Sequence, residues 1–124
     1  MRLRGSMIFV RDIDRMTDFY KDGVGLRFIP FLSNGEWAEF DAGGTIFGLH
    51  AIPAELLGDD PATSPPVARS DTPIKLMFET FDLMATRAHL TAHGATMSEP
   101  QAWGACDGLD PEGNVFQIVQ ISRT

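Results

Sequence analysis

Three histidines, one cysteine, two tryptophans and a scatter of acids are the groups in this chain best suited to chemistry. His50 lies in the β-prone run from Thr45 to Ile52. An imidazole there suits a general base or a hydrogen-bond donor to a ligand, and equally a strand-end side chain that simply meets solvent. His89 and His93 stand four residues apart, a spacing at which a metal ion can bridge two imidazoles on one helix face. No Glu follows His89, however, and the pair reads first as solvated side chains near a helix C-terminus, where positive charge is mildly favourable. Cys106 has no histidine nearby in sequence to lower its pKa, so packing as a small hydrophobe is the expected role. Lys75 suits an anionic ligand or an ion pair with Glu39 or Glu79, while Trp37 and Trp103 suit stacking on a planar ligand or plain core packing.

The elements that must hold these groups follow from periodicity. Leu3 to Arg11 is an extended run that ends at Asp12-Ile13-Asp14, where Asp12 or Asp14 can cap a helix. Ile13, Met16, Phe19 and Tyr20 share one stripe, which predicts a helix over 13–22 that stops at Gly23 and Gly25. Leu26 to Leu32, Trp37 to Asp41 and Thr45 to Ile52 are β-prone, separated by Ser33-Asn34-Gly35 and Ala42-Gly43-Gly44 turns. Prolines 53, 61, 65, 66 and 73 then mark a linker. Beyond it the order repeats: strand Ile74 to Thr80, a helix over 82–93 capped by Asp82 and ended by Gly94, and extended runs Ala95 to Glu99, Ala102 to Cys106 and Asn114 to Ile121. Asp110-Pro111-Glu112-Gly113 forms the last turn. The expected organisation is one domain over 1–124, with module one at 1–52, a linker at 53–72 and module two at 73–124, each module reading βαβββ.

The 124 residues suffice for one domain that removes roughly 65–70 % of its unfolded surface from water. A net charge of −7 argues against sequence-independent nucleic-acid binding, which needs phosphate neutralisation. Met7 to Val10 is the longest apolar stretch near the N-terminus, far short of a membrane span. No nucleic acid, no membrane and a cytoplasmic location are expected, and the single cysteine excludes an internal disulfide framework and agrees with a reducing compartment.

Ile8-Phe9-Val10-Arg11-Asp12-Ile13-Asp14-Arg15 with Phe19-Tyr20 and Gly25-Leu26 resembles the opening of glyoxalase I and its superfamily, which includes bleomycin-resistance proteins and extradiol dioxygenases. Asp110 to Phe116 is similar to that superfamily's other signature. The resemblance covers nearly the whole chain and implies an α+β fold in which two βαβββ modules form a curved mixed sheet cup, usually within a homodimer. It is specific for fold and not for a reaction.

Strand alternation gives that cup two faces. Ile8, Val10, Phe47, Leu49, Ile74, Leu76, Phe78, Phe116 and Ile118 are expected to face the helices. The opposite parity carries Gly5, Met7, Phe9, Ile46, Gly48, His50, Pro73, Lys75, Met77, Val115, Gln117 and Val119, with the make-up of a ligand pocket or of a half-solvated sheet face. Met7, Phe9, Gly48, His50, Lys75, Met77 and Gln117, with Trp37 and Trp103, are the candidate ligand-binding residues. No catalytic residue is assigned beyond His50 as a candidate.

The resemblance also implies four metal-ligating positions, which here are Gly5, Gly48, Pro73 and Gln117. Glycine and proline offer no donor atom and the Gln117 amide is weak, so no cofactor is expected, although a slip of two residues on the fourth strand would bring His50 beside Gln117 and leave a divalent metal open. The leading expectation is a metal-independent small-molecule binding protein. The superfamily's resistance members hold cationic drugs in acidic clefts, and the excess negative charge would attract such cations. The alternatives are a glyoxalase-like lyase or dioxygenase using an atypical metal site or His50 as base, and a face of the second βαβββ module given over to subunit pairing or a regulatory partner.

Overall fold

Each half of the chain turns from strand into helix at an aspartate. β1 (Gly5–Val10) leads to Asp12, whose carboxylate accepts from the Arg15 amide at 3.1 Å and starts α1 (Ile13–Asp18). β5 (Leu76–Thr80) leads to Asp82, which accepts from the Ala85 amide at 3.0 Å at the head of α2 (Leu83–Ala92). In both places a side-chain oxygen satisfies a backbone donor that the helix cannot. The computed structural model describes residues 1–58 and 65–122; linker positions 59–64, with Pro61, lie outside the described residues, as do 123 and 124.

The strands repeat one connectivity. β2 (Arg27–Phe28), β3 (Trp37–Asp41) and β4 (Ile46–Ala51) join β1 in the order β1-β4-β3-β2. β6 (Thr96–Met97), β7 (Ala105–Leu109) and β8 (Val115–Gln120) join β5 in the order β5-β8-β7-β6. In each sheet the first strand runs parallel to the last and the other pairs are antiparallel. The fold is therefore α+β with two βαβββ units, and the chain divides between residues 61 and 62.

Each unit has its own core on the sheet face that meets the helix. In the first, Val10, Phe40, Phe47 and Leu49 are buried with Met16, Phe19 and Tyr20, and the Tyr20 ring centroid lies 4.8 Å from that of Phe47. In the second, Leu83, Leu90, Cys106, Phe116 and Ile118 are buried. Burying each large apolar side chain stabilises the unit by about 1.5–3 kcal/mol relative to its exposure.

The structure corrects several expected boundaries. The first helix keeps α geometry only to Asp18; the Val24 amide then donates to the Phe19 carbonyl at 3.0 Å, so Phe19–Gly23 form a wider π turn. Leu26 to Leu32 is not one strand, because Pro30 fixes its own φ and has no N–H to give a ladder, and Pro30–Leu32 coil into a 3₁₀ turn. The run Ala95 to Glu99 pairs only through Thr96 and Met97, and β7 starts at Ala105 rather than Ala102 because residues 101–104 form a turn with Gly104 at φ 99°. Ile74 does not join the helix-facing core: the β5 ladder begins at Leu76 opposite Phe116, and Ile74 stays 70 % exposed. No helix among the described residues is long and apolar enough to cross a membrane.

Candidate functional site

On the first sheet, the face turned away from the helix carries rows of side chains set by strand register. Phe9, His50 and Trp37 form one row across β1, β4 and β3, and Met7, Gly48 and Glu39 form the next. The turn before β3 aims the tryptophan: the Asn34 side-chain carbonyl accepts from the Glu36 and Trp37 amides at 2.7 and 3.0 Å. The Phe9 and His50 ring centroids are 5.4 Å apart and those of His50 and Trp37 6.2 Å. Met7 and Phe9 remain about half exposed, so the row presents apolar surface outward.

Gly48 has no side chain, yet it leaves no open space in this face. The space is instead taken by the Trp37 indole, whose Cη2 would stand 2.0 Å from a Cβ added at residue 48. The indole N–H donates to Glu39 Oε1 at 3.2 Å. Glu39 is itself 8 % exposed and its backbone is fixed twice: its amide donates to Ser33 Oγ at 3.0 Å and its carbonyl accepts from the Ile29 amide at 2.9 Å. Sequence reasoning considered Glu39 only as a partner for Lys75. The available signal was its parity, since it alternates with Ala38 and Phe40 on the same side as Trp37.

His50 keeps one nitrogen engaged. Its Nδ1 lies 2.8 Å from the Ala51 carbonyl oxygen, which can only accept, so Nδ1 carries the hydrogen and Nε2 bears the lone pair in the neutral ring.

The second sheet has a different chemistry on the corresponding face. Met77 and Asp107 both register with Gln117, and Lys75 precedes Met77 by two residues. Lys75 Nζ reaches both Asp107 carboxylate oxygens at 3.3 Å, and Gln117 Nε2 donates to Asp107 Oδ1 at 3.3 Å. The ion pair expected between Lys75 and Glu39 or Glu79 is thus made with Asp107. The structure brings Lys75, Met77 and Gln117 together, as it does Met7, Phe9, Trp37, Gly48 and His50 on the first sheet. Trp103 is not among either group; it is exposed in the 101–104 turn, with its indole N–H donating to the Gln101 side chain.

Asp110 is fully buried and organises the turn into β8. Its Oδ1 accepts from the Glu112 and Asn114 amides at 2.9 Å each and its Oδ2 from Asn114 Nδ2 at 2.7 Å. Cys106 lies on the helix-facing side of β7 and its thiol donates to the Ser98 carbonyl at 3.0 Å. Burial pushes that thiol above its ordinary pKa, against the lowering pull of Arg87, which leaves it a poor nucleophile. The His89 and His93 rings lie 4.3 Å apart between centroids and are tilted by 40°, with His93 Nδ1 donating to the His89 carbonyl.

The four positions at which the resemblance places metal ligands do not suit an ion. Gly5 lies against the Ile46 carbonyl, Gly48 lies under Trp37, Pro73 has no donor, and the Gln117 amide is engaged with Asp107. The β1–β4 register sets Gly48 opposite Met7 and His50 opposite Phe9. Among the described residues no group of three or more His, Cys, Asp or Glu side chains is placed to hold one.

No family model and no curated protein sequence matches the chain. Solved structures do. A glyoxalase/bleomycin resistance protein/dioxygenase family enzyme from Burkholderia phytofirmans PsJN superposes with a TM-score of 0.73 at 23 % identity, over 98 % of this chain and 99 % of that one. The fosfomycin resistance protein FosX from Mesorhizobium loti gives 0.71 at 13 % identity, over 98 % and 93 %. TnmS3, an antibiotic binding protein from Streptomyces sp. CB03234, gives 0.63 at 23 % identity, over 98 % and 97 %. Identities this low speak for architecture, and with the duplicated βαβββ connectivity they show that the chain has the fold of these glyoxalase/bleomycin resistance protein/dioxygenase structures.

Proposed function

We propose that this protein binds a small organic molecule on the open face of its first sheet without a metal ion, and that it does so as a homodimer in the cytoplasm. The observation that carries the reading is the Trp37 indole lying over Gly48. Where a metal-dependent member would need a ligating side chain, this chain has an aromatic wall next to half-exposed Met7 and Phe9. Apolar walls with few fixed polar groups are the make-up of small-molecule sites, and methionine adapts to irregular ligands. The likeness to an antibiotic-binding protein of the same fold supports a ligand of this kind.

Elemental analysis of the purified protein tests the metal-free part. The reading expects only traces of zinc, nickel, manganese and iron, and a stoichiometric transition metal that resists dialysis would overturn it.

One observation favours a second reading. The Nδ1 hydrogen bond to Ala51 leaves His50 Nε2 as a proton acceptor on the open face, the tautomer a general base needs for attack on a carbonyl-containing substrate. Turnover of such a substrate that vanishes in H50A, with binding retained, would move the assignment from binding protein to enzyme.

A further inference from the structure

Away from both open sheet faces, the last turn of α2 brings two imidazoles together. Leu83 and Leu90 are buried, whereas His89 and His93, four residues apart, are both exposed. Their ring centroids lie 4.3 Å apart, with 40° between the ring planes. His93 Nδ1 is 2.9 Å from the His89 carbonyl oxygen, which can only accept, so Nδ1 carries the hydrogen and Nε2 the lone pair of the neutral ring. Metal-binding histidines are held in this way: one ring nitrogen donates to a carbonyl, which fixes tautomer and orientation, and the other meets the ion. The surroundings also suit a cation. The C-terminal end of a helix carries partial negative charge. Arg87, the arginine of α2, is drawn off towards the segment after β6, where its Nε donates to the Ser98 carbonyl at 2.9 Å and its guanidinium pairs with Glu99 at 3.6 Å.

We infer that His89 and His93 form a two-imidazole clamp for a borderline divalent transition ion, Cu2+ before Ni2+ and Zn2+. The inference does not depend on the ligand reading given above. An imidazole nitrogen sits about 2.0–2.1 Å from such an ion. With the ring's own radius added, two imidazoles at the right angle of a tetragonal site have centroids roughly 4.5 Å apart, and at a tetrahedral angle roughly 5.2 Å. The observed 4.3 Å fits the right angle, which is the geometry of Cu2+ and Ni2+. The general order of divalent affinities, highest at Cu2+, points the same way. Among the described residues no third His, Cys, Asp or Glu side chain joins the pair, so water completes the shell. An ion held by two protein ligands exchanges readily and is removed by dialysis against a chelator.

Copper(II) chloride titrated into the full chain, first freed of metal by dialysis against EDTA, tests this through the backbone amide resonances, which the paramagnetic ion broadens nearby. The broadening is expected to centre on residues 89–94, and H89N and H93N are each expected to weaken Cu2+ binding about tenfold by removing one arm of the chelate. Both side chains are exposed, and the amide spectra of the variants report directly that they are folded. Zn2+ is expected to displace Cu2+ only at about tenfold excess or more. Broadening centred elsewhere, full-strength binding in either variant, or Zn2+ held as tightly as Cu2+ would each overturn the inference. Broadening centred on Gly48 and His50 would sink the metal-free reading of the first sheet as well, whereas broadening confined to α2 leaves that reading standing.

Discussion

Trp37, Gly48 and Glu39 depend on one another: the glycine makes room for the indole, and the indole N–H satisfies the carboxylate. In G48A the added methyl would fall on the ring carbon now 2.0 Å from that point, so the indole must leave the sheet surface. The expected result is a shift in Trp37 emission and a loss of about 1–3 kcal/mol in urea denaturation. Unchanged emission would mean that the ring does not rest there. Little of this arrangement was legible in the sequence. The one-dimensional pattern identified Gly48 and Trp37 as members of one face, but which of them fills the other's space is decided by rotamer and by cross-strand register. Cys106, by contrast, could be read as a packing residue from the absence of a neighbouring base, and its buried, carbonyl-bonded thiol agrees with that.

Among the elements, the turn between β3 and β4 shows how a local hydrogen-bond motif couples to pH. Asp41 Oδ1 accepts from the Gly43 and Gly44 amides at 2.9 and 3.3 Å, and these bonds, with a smaller contribution from Arg27, hold its carboxyl below the usual carboxylate range. A folded-state pKa below the unfolded one means that the unfolded chain takes up a proton first as pH falls. The stabilisation is therefore complete above the unfolded pKa and is lost as pH drops through the folded one. Denaturation of D41N and the unsubstituted protein across acidic pH should show a gap at neutrality that closes below the carboxylate range, and a gap that stays constant would contradict this origin. Turn, cap and strand positions of this type were largely legible, because Asp12, Asp82, Asn34, Gly43 and Gly94 act through local chemistry. The boundaries that moved did so for other reasons: Pro30 cut β2 short, the π turn widened the first helix, and Ile74 lost its place because strand pairing begins two residues later.

For the molecule as a whole, one connectivity is used twice with different chemistry on the two open faces. The first sheet offers aromatic rings, methionine and the Glu39 carboxylate bonded to the Trp37 indole, and the second offers the Lys75–Asp107–Gln117 cluster, in which the lysine and aspartate charges compensate one another. The net charge of −7 adds a long-range field that favours cations over anions, at low ionic strength above all. Fold and duplicated order were legible in the two signatures and their separation, whereas the shape of the open face was not, because it depends on how Trp37 packs over Gly48 after the strands pair. A backbone amide chemical-shift map decides whether recognition is metal-free and where it occurs, using benzyl alcohol as a neutral aromatic probe and repeating the titration with EDTA. The expected map centres on Met7, Phe9, Trp37 and His50 and is the same with the chelator present. Shifts that disappear on chelation, or that cluster away from β1 and β4, would show that this protein recognises its ligand by other means.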